Sequence, residues 1–299
     1  MSKILLIFLD GLGLGREEES NPFFYRQFEF INSHFTSKPS VNNNLLNNNS
    51  AWISSCDALL NMPGIPQSGT GQTSIFCGFN ASEFIGKHFG PYPYSLLLPE
   101  IEQKNIFTSL REKHLKVNFA NAYPKAFFDH ISSGRRIINF TAHMAQFSGV
   151  SLNDENDLKN GKAISAELTN FRWRSKLNID VPEISPSDAA FRLLDIAEVN
   201  DFTLFEYFYL DYLGHGRLKE SEDRLTTELD EFLNVILHNI SPNLSILICS
   251  DHGNYEDRSI KTHTLNPAFL LSKGRYSQHF VDNIRSLPDI YHTIMETFE

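Results

Sequence analysis

Three short apolar runs in this chain each end on an aspartate. Ile4-Leu5-Leu6-Ile7-Phe8-Leu9 stops at Asp10, Phe202 to Leu210 stops at Asp211, and Ser245-Ile246-Leu247-Ile248-Cys249-Ser250 stops at Asp251. Runs this short and this continuously apolar read as strands covered on both faces, the situation inside a parallel sheet. Lys116–Ala120 is a fourth strand candidate, behind a helical stretch from about Ile101 to Lys113. Ala190, Leu193, Leu194 and Ala197 recur at helical spacing after Ser185-Pro186, which predicts a helix over Ser187–Val199. Leu225, Leu229, Phe232, Leu233 and Ile236 among alternating charges predict another over Ser221–Leu237. Strands alternating with helices imply an α/β fold with right-handed crossovers and a mostly parallel central sheet. In such sheets, sites form beyond the carboxyl ends of the strands. Three aspartates are expected at that edge.

Two stretches break the alternation. Asn42–Ser50, rich in asparagine, reads as a low-complexity, mobile loop. Residues 124–186 carry weak periodicity and read as a small cap inserted into one discontinuous α/β domain made of 1–123 and 187–299. Of the 299 residues, 41% are hydrophobic and 21% charged, enough apolar material for a sizeable core. The net charge of −10 argues against a nucleic-acid binder or a polybasic membrane anchor. No apolar run approaches the roughly 18–20 residues of a membrane helix. Cys56, Cys77 and Cys249 lack paired spacing, so a reducing, cytoplasmic setting is expected.

The chemistry-bearing residues cluster around those aspartates. Asp211 and His215, four apart with glycines about the histidine, can converge on one metal ion. Asp251-His252 places two ligand types side by side, and His263 follows in Lys261-Thr262-His263-Thr264. Oxygen and nitrogen donors in this mixture suit zinc or manganese rather than calcium or a thiolate-bound metal. The loop Pro66-Gln67-Ser68-Gly69-Thr70-Gly71-Gln72 offers small residues and, if a helix starts there, free N–H groups aimed at a phosphate. Ser68 or Thr70 supplies a hydroxyl at that helix mouth, which metal coordination would activate. The loop fits neither the Walker nor the dinucleotide pattern. Singly, each feature has a bland reading: strand-end aspartates often only cap turns. His34, His88, His114, His238, His279 and His292 lack a ligand-like setting, and His130 and His143 stand in the inserted segment without a motif. The joint occurrence of Asp10, Ser68, Asp211, His215, Asp251, His252 and His263 at element ends is what points to a site.

Phe8-Leu9-Asp10-Gly11-Leu12-Gly13, Gln67-Ser68-Gly69-Thr70-Gly71, Asp211 with His215, Asp251-His252-Gly253-Asn254 and His263-Thr264 occur in an order that resembles the alkaline phosphatase superfamily. The branch it is most similar to holds cofactor-independent phosphoglycerate mutase and phosphopentomutase. The resemblance implies a three-layer α/β sandwich and two divalent metal ions, manganese or zinc. One ion would be held by Asp10, Asp251 and His252 with Ser68, the other by Asp211, His215 and His263. It further implies Ser68 as nucleophile toward a small phosphorylated substrate, with Thr70 as a competing hydroxyl. The chain departs from the mutases at Gln72, where they carry a histidine, and in its insertion of only about sixty residues. A phosphatase acting through phosphoserine is therefore expected, with a phosphomutase or a non-catalytic metal-binding member as alternatives. Gly69, Thr70 and the basic residues Arg135, Arg136, Arg172, Arg174 and Lys176 are candidate substrate contacts, the alternative for the cations being a solvated surface. The sequence is silent on oligomeric state.

Overall fold

The computed structural model describes residues 2–48, 50–134 and 138–299. Its strands are β1 Lys3–Leu9, β2 Leu46–Asn47, β3 Ala51–Cys56, β4 Val117–Phe119, β5 Phe202–Tyr207, β6 Leu244–Cys249 and β7 Ala268–Lys273. They form one sheet in the order β2-β3-β7-β6-β1-β5-β4. The run β6-β1-β5-β4 is parallel throughout, while β7 is antiparallel to both β6 and β3, and β2 to β3. The α/β sheet expected from the apolar runs is thus present, parallel through its central strands and antiparallel toward the β2 edge.

The apolar runs are continuous because both faces are covered. Leu5, Ile7 and Leu9 of β1 pack into a cluster with Leu193, Leu229 and Phe232. Ile4, Leu6 and Phe8 point the other way, into a cluster with Ile75, Phe76, Leu110 and Ile290. The first helical layer is built by Pro186–Glu198 and Glu222–His238, each within a residue or two of its predicted bounds. Ser185 starts the former in a reciprocal cap with Asp188, satisfying backbone N–H groups that a helix start leaves unpaired. The second layer includes the Ser68–Cys77 and Leu287–Glu296 helices.

Several local expectations are corrected. The helix expected over 101–113 is two, Leu98–Gln103 and Ile106–Glu112, because Asn105 caps the second by accepting the Thr108 N–H at 3.0 Å. The apolar run from Phe202 leaves the sheet at Tyr207, and Tyr209–Gly214 is a short helix. The segment expected as a mobile loop contains β2, whose Leu46 is buried. Residues 124–186 divide their packing. Phe140, Met144 and Ala145 join the core beside Ile4, Leu6 and Phe8, and Ile164 and Leu168 join the other face. Leu158, Ala163, Trp173 and Val181 form a small cluster with Ala122, and the Lys125–Ser132 helix buries no residue fully.

The register matters most for function. Phe8 lies opposite Glu206 on one side and Cys249 on the other, so the three central strands end level and their following residues emerge along one edge. Since Ile7 is fully buried at the middle of this sheet, Ile7→Ala should lower stability by about 2–5 kcal/mol. Denaturant unfolding should show this as a lower midpoint at unchanged slope.

Candidate metal centre

Asp10 follows β1 directly, its N–H donating to the Tyr207 carbonyl of β5 at 3.0 Å. Asp251 emerges just beyond β6, and Asp211 lies in the first turn of the Tyr209–Gly214 helix. His215 ends that helix four residues on, which puts it on the same face as Asp211. Each histidine is aimed by its other nitrogen. His215 Nδ1 bonds the Lys261 carbonyl at 2.8 Å, and His263 Nδ1 bonds the Pro66 carbonyl at 2.7 Å. With Nδ1 held on a carbonyl, Nε2 of each ring faces Asp211, donating to it without metal and offering its lone pair once a cation displaces that proton.

These Nε2 atoms converge with the carboxylates. His252 Nε2 lies 3.4 Å from Asp10 Oδ1, 3.5 Å from Asp251 Oδ2 and 2.9 Å from Ser68 Oγ. Asp211 Oδ1 lies 3.3 Å from His215 Nε2 and 3.4 Å from His263 Nε2, and the two nitrogens are 3.1 Å apart. Two groups have ligand atoms all within 4.8 Å of one another, Asp10–Asp251–His252 and Asp211–His252–His263. His252 stands between them, its ring stacked on His263 at 3.7 Å. All seven residues singled out in the sequence meet at this one place.

The electrostatics are those of crowded, buried acids beside imidazoles. Burial, with the charges of Asp251 and Asp211, pushes the Asp10 carboxyl well above its ordinary range. Burial and the Asp211 charge raise Asp251 to about 7. Burial and the neighbouring His263 lower His252 to about 3. Burial also opposes ionisation of Asp211, but hydrogen bonds from His215 and His263 win and hold its carboxyl well below the usual range. Asp10 Oδ1 is buried with no hydrogen-bond donor. Packed carboxylates, an orphaned oxygen and inward-facing imidazole nitrogens together fit divalent cations, which would offset the repulsion.

Close backbone approach makes the gathering possible. A Cβ on Gly71 would lie 2.9 Å from Asp251 Cβ, so only glycine lets the Ser68–Cys77 helix reach that strand end. Gly11, at φ +77°, has the Asp211 Cα and Cβ at 2.9 Å from where its own Cβ would be. Gln72 Nε2 reaches Asp251 Oδ2 at 3.4 Å. Glu256, which the sequence reading missed, is buried and accepts from Gly13 N at 3.0 Å, Asn254 N at 2.8 Å and Asn266 Nδ2 at 3.0 Å, tying the loop that carries His263 to the end of β1. Ser68 opens its helix with the hydroxyl on His252, whereas the Thr70 hydroxyl donates to the Gln67 carbonyl at 3.2 Å and accepts the Phe89 N–H at 3.2 Å.

A cavity of about 1050 Å³ opens on Asp10, Ser68, Asp211, His215 and His263. Of the candidate substrate cations, Arg172 and Lys176 line it. Arg174 faces a separate surface pocket and pairs with Glu183 at 3.3 Å. Arg135 and Arg136 lie outside the described residues. Gly69 and Thr70 do not line the cavity. Glu206 does, and it too was missed: it is buried, raised to about 7 by burial, and accepts the Thr141 hydroxyl at 2.6 Å. A carboxylate inside the otherwise apolar run Phe202–Leu210 was the available signal.

A family model for the metalloenzyme superfamily matches residues 2–299. The chain belongs to this superfamily. Its members share the alkaline phosphatase-like fold and perform metal-dependent phosphoryl transfer. Among solved structures, the chain is similar to alkaline phosphatase from the Antarctic bacterium TAB5, with TM-score 0.56 and 14% identity over 98% of this chain and 97% of that one. It is also similar to the PH0037 protein from Pyrococcus horikoshii, with TM-score 0.53 and 14% identity over 91% and 85%. A cold-active alkaline phosphatase from Shewanella sp. gives TM-score 0.51 and 11% identity over 98% and 99%. At these identities the likeness is one of fold. Comparison with curated protein sequences finds no match.

Membership implies divalent metal ions, and two results should follow. Adding divalent ions to chelator-treated protein should raise Tm by on the order of 5 °C, and by more at pH 8 than at pH 6. The sign follows from Asp251, raised to about 7: the metal-free fold holds a proton that the unfolded chain releases near the ordinary carboxylate value. Metal-free stability therefore falls as pH rises between those values, and the ions restore it. Gly11→Ala should cost about 1–2 kcal/mol from its backbone conformation alone. It should also reduce bound metal, read by elemental analysis, as Asp211 is forced away.

Proposed function

We propose that this protein is a phosphatase, or a related phosphoric-ester hydrolase, working through a phosphoserine at Ser68. The observation that carries this reading is the Ser68 hydroxyl, set at the first residue of a ten-residue buried helix and 2.9 Å from His252 Nε2 amid the carboxylates. Manganese or zinc ions are the proposed cofactors, one held by Asp10, Ser68, Asp251 and His252 and the other by Asp211, His215 and His263. Bound there, they would supply positive charge that favours the serine alkoxide and neutralises phosphoryl oxygens.

The remaining work falls to the chain. The Ser68–Cys77 helix presents its Ser68 end, with no side-chain cap from Gln67, toward the site. The Thr70 N–H is taken by the Phe89 carbonyl at 2.9 Å, and the positive end of the helix dipole favours a phosphate. Ser68 Oγ attacks phosphorus in line, giving up its proton; the Ser68 O–P bond forms, and the ester P–O bond breaks as the alcohol leaves and takes up a proton. A water molecule then cleaves the phosphoserine, returning the serine hydroxyl and releasing inorganic phosphate. In this reading residues 124–186 act as a cap on the domain formed by 1–123 and 187–299, with Arg172 facing the substrate.

The proposed partner is a small phosphorylated molecule rather than nucleic acid or a membrane. No described helix is long and apolar enough to cross a membrane. The three cysteines are free and buried, which supports a reducing, cytoplasmic setting. With manganese or zinc, the protein should release phosphate from simple phosphate monoesters. Ser68→Ala should reduce kcat by roughly a thousandfold or more. Full phosphate release by that variant would overturn Ser68, and isomerisation of a sugar or glycerate phosphate without release would overturn hydrolysis.

A further inference from the structure

Phosphoryl transfer uses only one end of the cavity. Its volume of about 1050 Å³ is at the upper end of the range for sites that enclose a drug-sized ligand. A phosphoryl group on a short polyol leaves most of it unfilled. The walls that remain, which also carry Glu167 and Glu206, present aromatic rings from two separate segments. Tyr123 and Phe127 stack at 4.1 Å with 23° between their planes, while Phe208 and Tyr212 lie 5.4 Å apart beyond the end of β5. All four line the cavity. Ring faces of this kind favour a flat partner by offset stacking or edge contact.

The third observation is cationic charge on the cavity wall outside any close ion pair. Arg172 is half-buried, with its guanidinium 5.9 Å from the Tyr209 ring centroid. Lys176 follows four residues later, and both line the cavity. Among the described residues neither forms an ion pair, although Arg174 between them pairs with Glu183 at 3.3 Å and faces another pocket. Helical spacing explains the difference, since positions four apart share a face and the one between does not. Glu167, a buried carboxylate that also lines the cavity and feels the Arg172 charge, accepts the backbone N–H groups of Arg172 and Trp173 on Oε1, and its Oε2 has no hydrogen-bond partner.

We propose that the cavity selects phosphate monoesters whose alcohol carries an aromatic ring and, beyond it, a second anionic group. The ring lies against Tyr123–Phe127 and Phe208–Tyr212, and the anion meets Arg172 and Lys176 through charge-assisted hydrogen bonds. The inference rests on the phosphatase reading only for the ester end.

Three alkyl esters with similar leaving groups test it on metal-loaded protein: glycerol 3-phosphate, benzyl phosphate and 4-carboxybenzyl phosphate. The order of kcat/KM should rise in that sequence, with at least about a tenfold gain from the carboxylate. A 4-phosphonomethyl analogue serves as a second arm and distinguishes a carboxylate-reading from a phosphate-reading site. Arg172→Gln with Lys176→Gln should shrink the ratio of charged to neutral benzyl ester toward one, and Phe127→Ala should shrink the ratio of benzyl to glycerol ester. Calorimetric binding of benzylphosphonate and 4-carboxybenzylphosphonate, which need no turnover, should show the same order and the same loss in the double variant. Charge-selective binding without hydrolysis would support this inference while sinking the phosphatase reading. Equal affinities for the charged and neutral phosphonates, or a preference untouched by the double variant, would overturn it.

Discussion

Three carboxylates that repel one another are held together at the ends of three neighbouring strands, and the rest of the structure is arranged around that repulsion. Burial and the charges of Asp251 and Asp211 push the Asp10 carboxyl up, and burial and the Asp211 charge push Asp251 up, so the metal-free fold favours protons there. The sheet supplies the force that opposes this. Its central strands are clamped by apolar layers on both faces, and level strand ends leave the aspartates no separate exits. A cation between them would remove the conflict and make the same cluster stabilising. Metal binding at such a centre would be coupled to folding, as in any site whose ligands are crowded before the ion arrives.

Glycine sets how near the repelling groups come. With no Cβ, Gly71 and Gly11 allow backbone to lie against Asp251 and Asp211 at distances that any other residue would forbid. Hydrogen bonds made away from the centre then fix direction. The carbonyls of Lys261 and Pro66 hold His215 and His263 by Nδ1, and Glu256 ties three loop amides and Thr264 together. A substitution among these outer partners moves a ligand without touching it.

Much of this was readable beforehand because the strongest signal in the chain is also the one that builds the site. A doubly buried strand must be apolar throughout, so its first polar residue marks the sheet edge, and Asp10 and Asp251 were visible as such. Asp211 was found with the wrong backbone around it: Phe208, Tyr209 and Leu210 stay buried or nearly so after the strand ends, so hydrophobicity could not show the turn into a helix. β3 and β7 were missed for a related reason. Ser54 and Ser55 dilute the apolar signal in β3, and antiparallel pairing with β7 needs no helical crossover to announce it. Glu206 and Glu256 were missed because single carboxylates carry no spacing, only burial, and burial is a property of the fold.

The Ser68–Cys77 helix shows how the two requirements are reconciled. Every residue in it is buried, yet only Ile75, Phe76 and Cys77 are apolar. Its first turns are small and polar because they must fit beside Asp251 and leave a hydroxyl at the mouth, and Thr73 and Ser74 satisfy their own hydroxyls on the Gly69 and Thr70 carbonyls at 2.7 and 2.9 Å. Hydroxyls bonded back to the preceding turn are self-sufficient and ask nothing of the surrounding core. Ser68, at the first position, has no earlier turn to bond. Its hydroxyl turns outward to His252, and the one serine of the helix that cannot be satisfied internally is the one that faces the carboxylates and imidazoles.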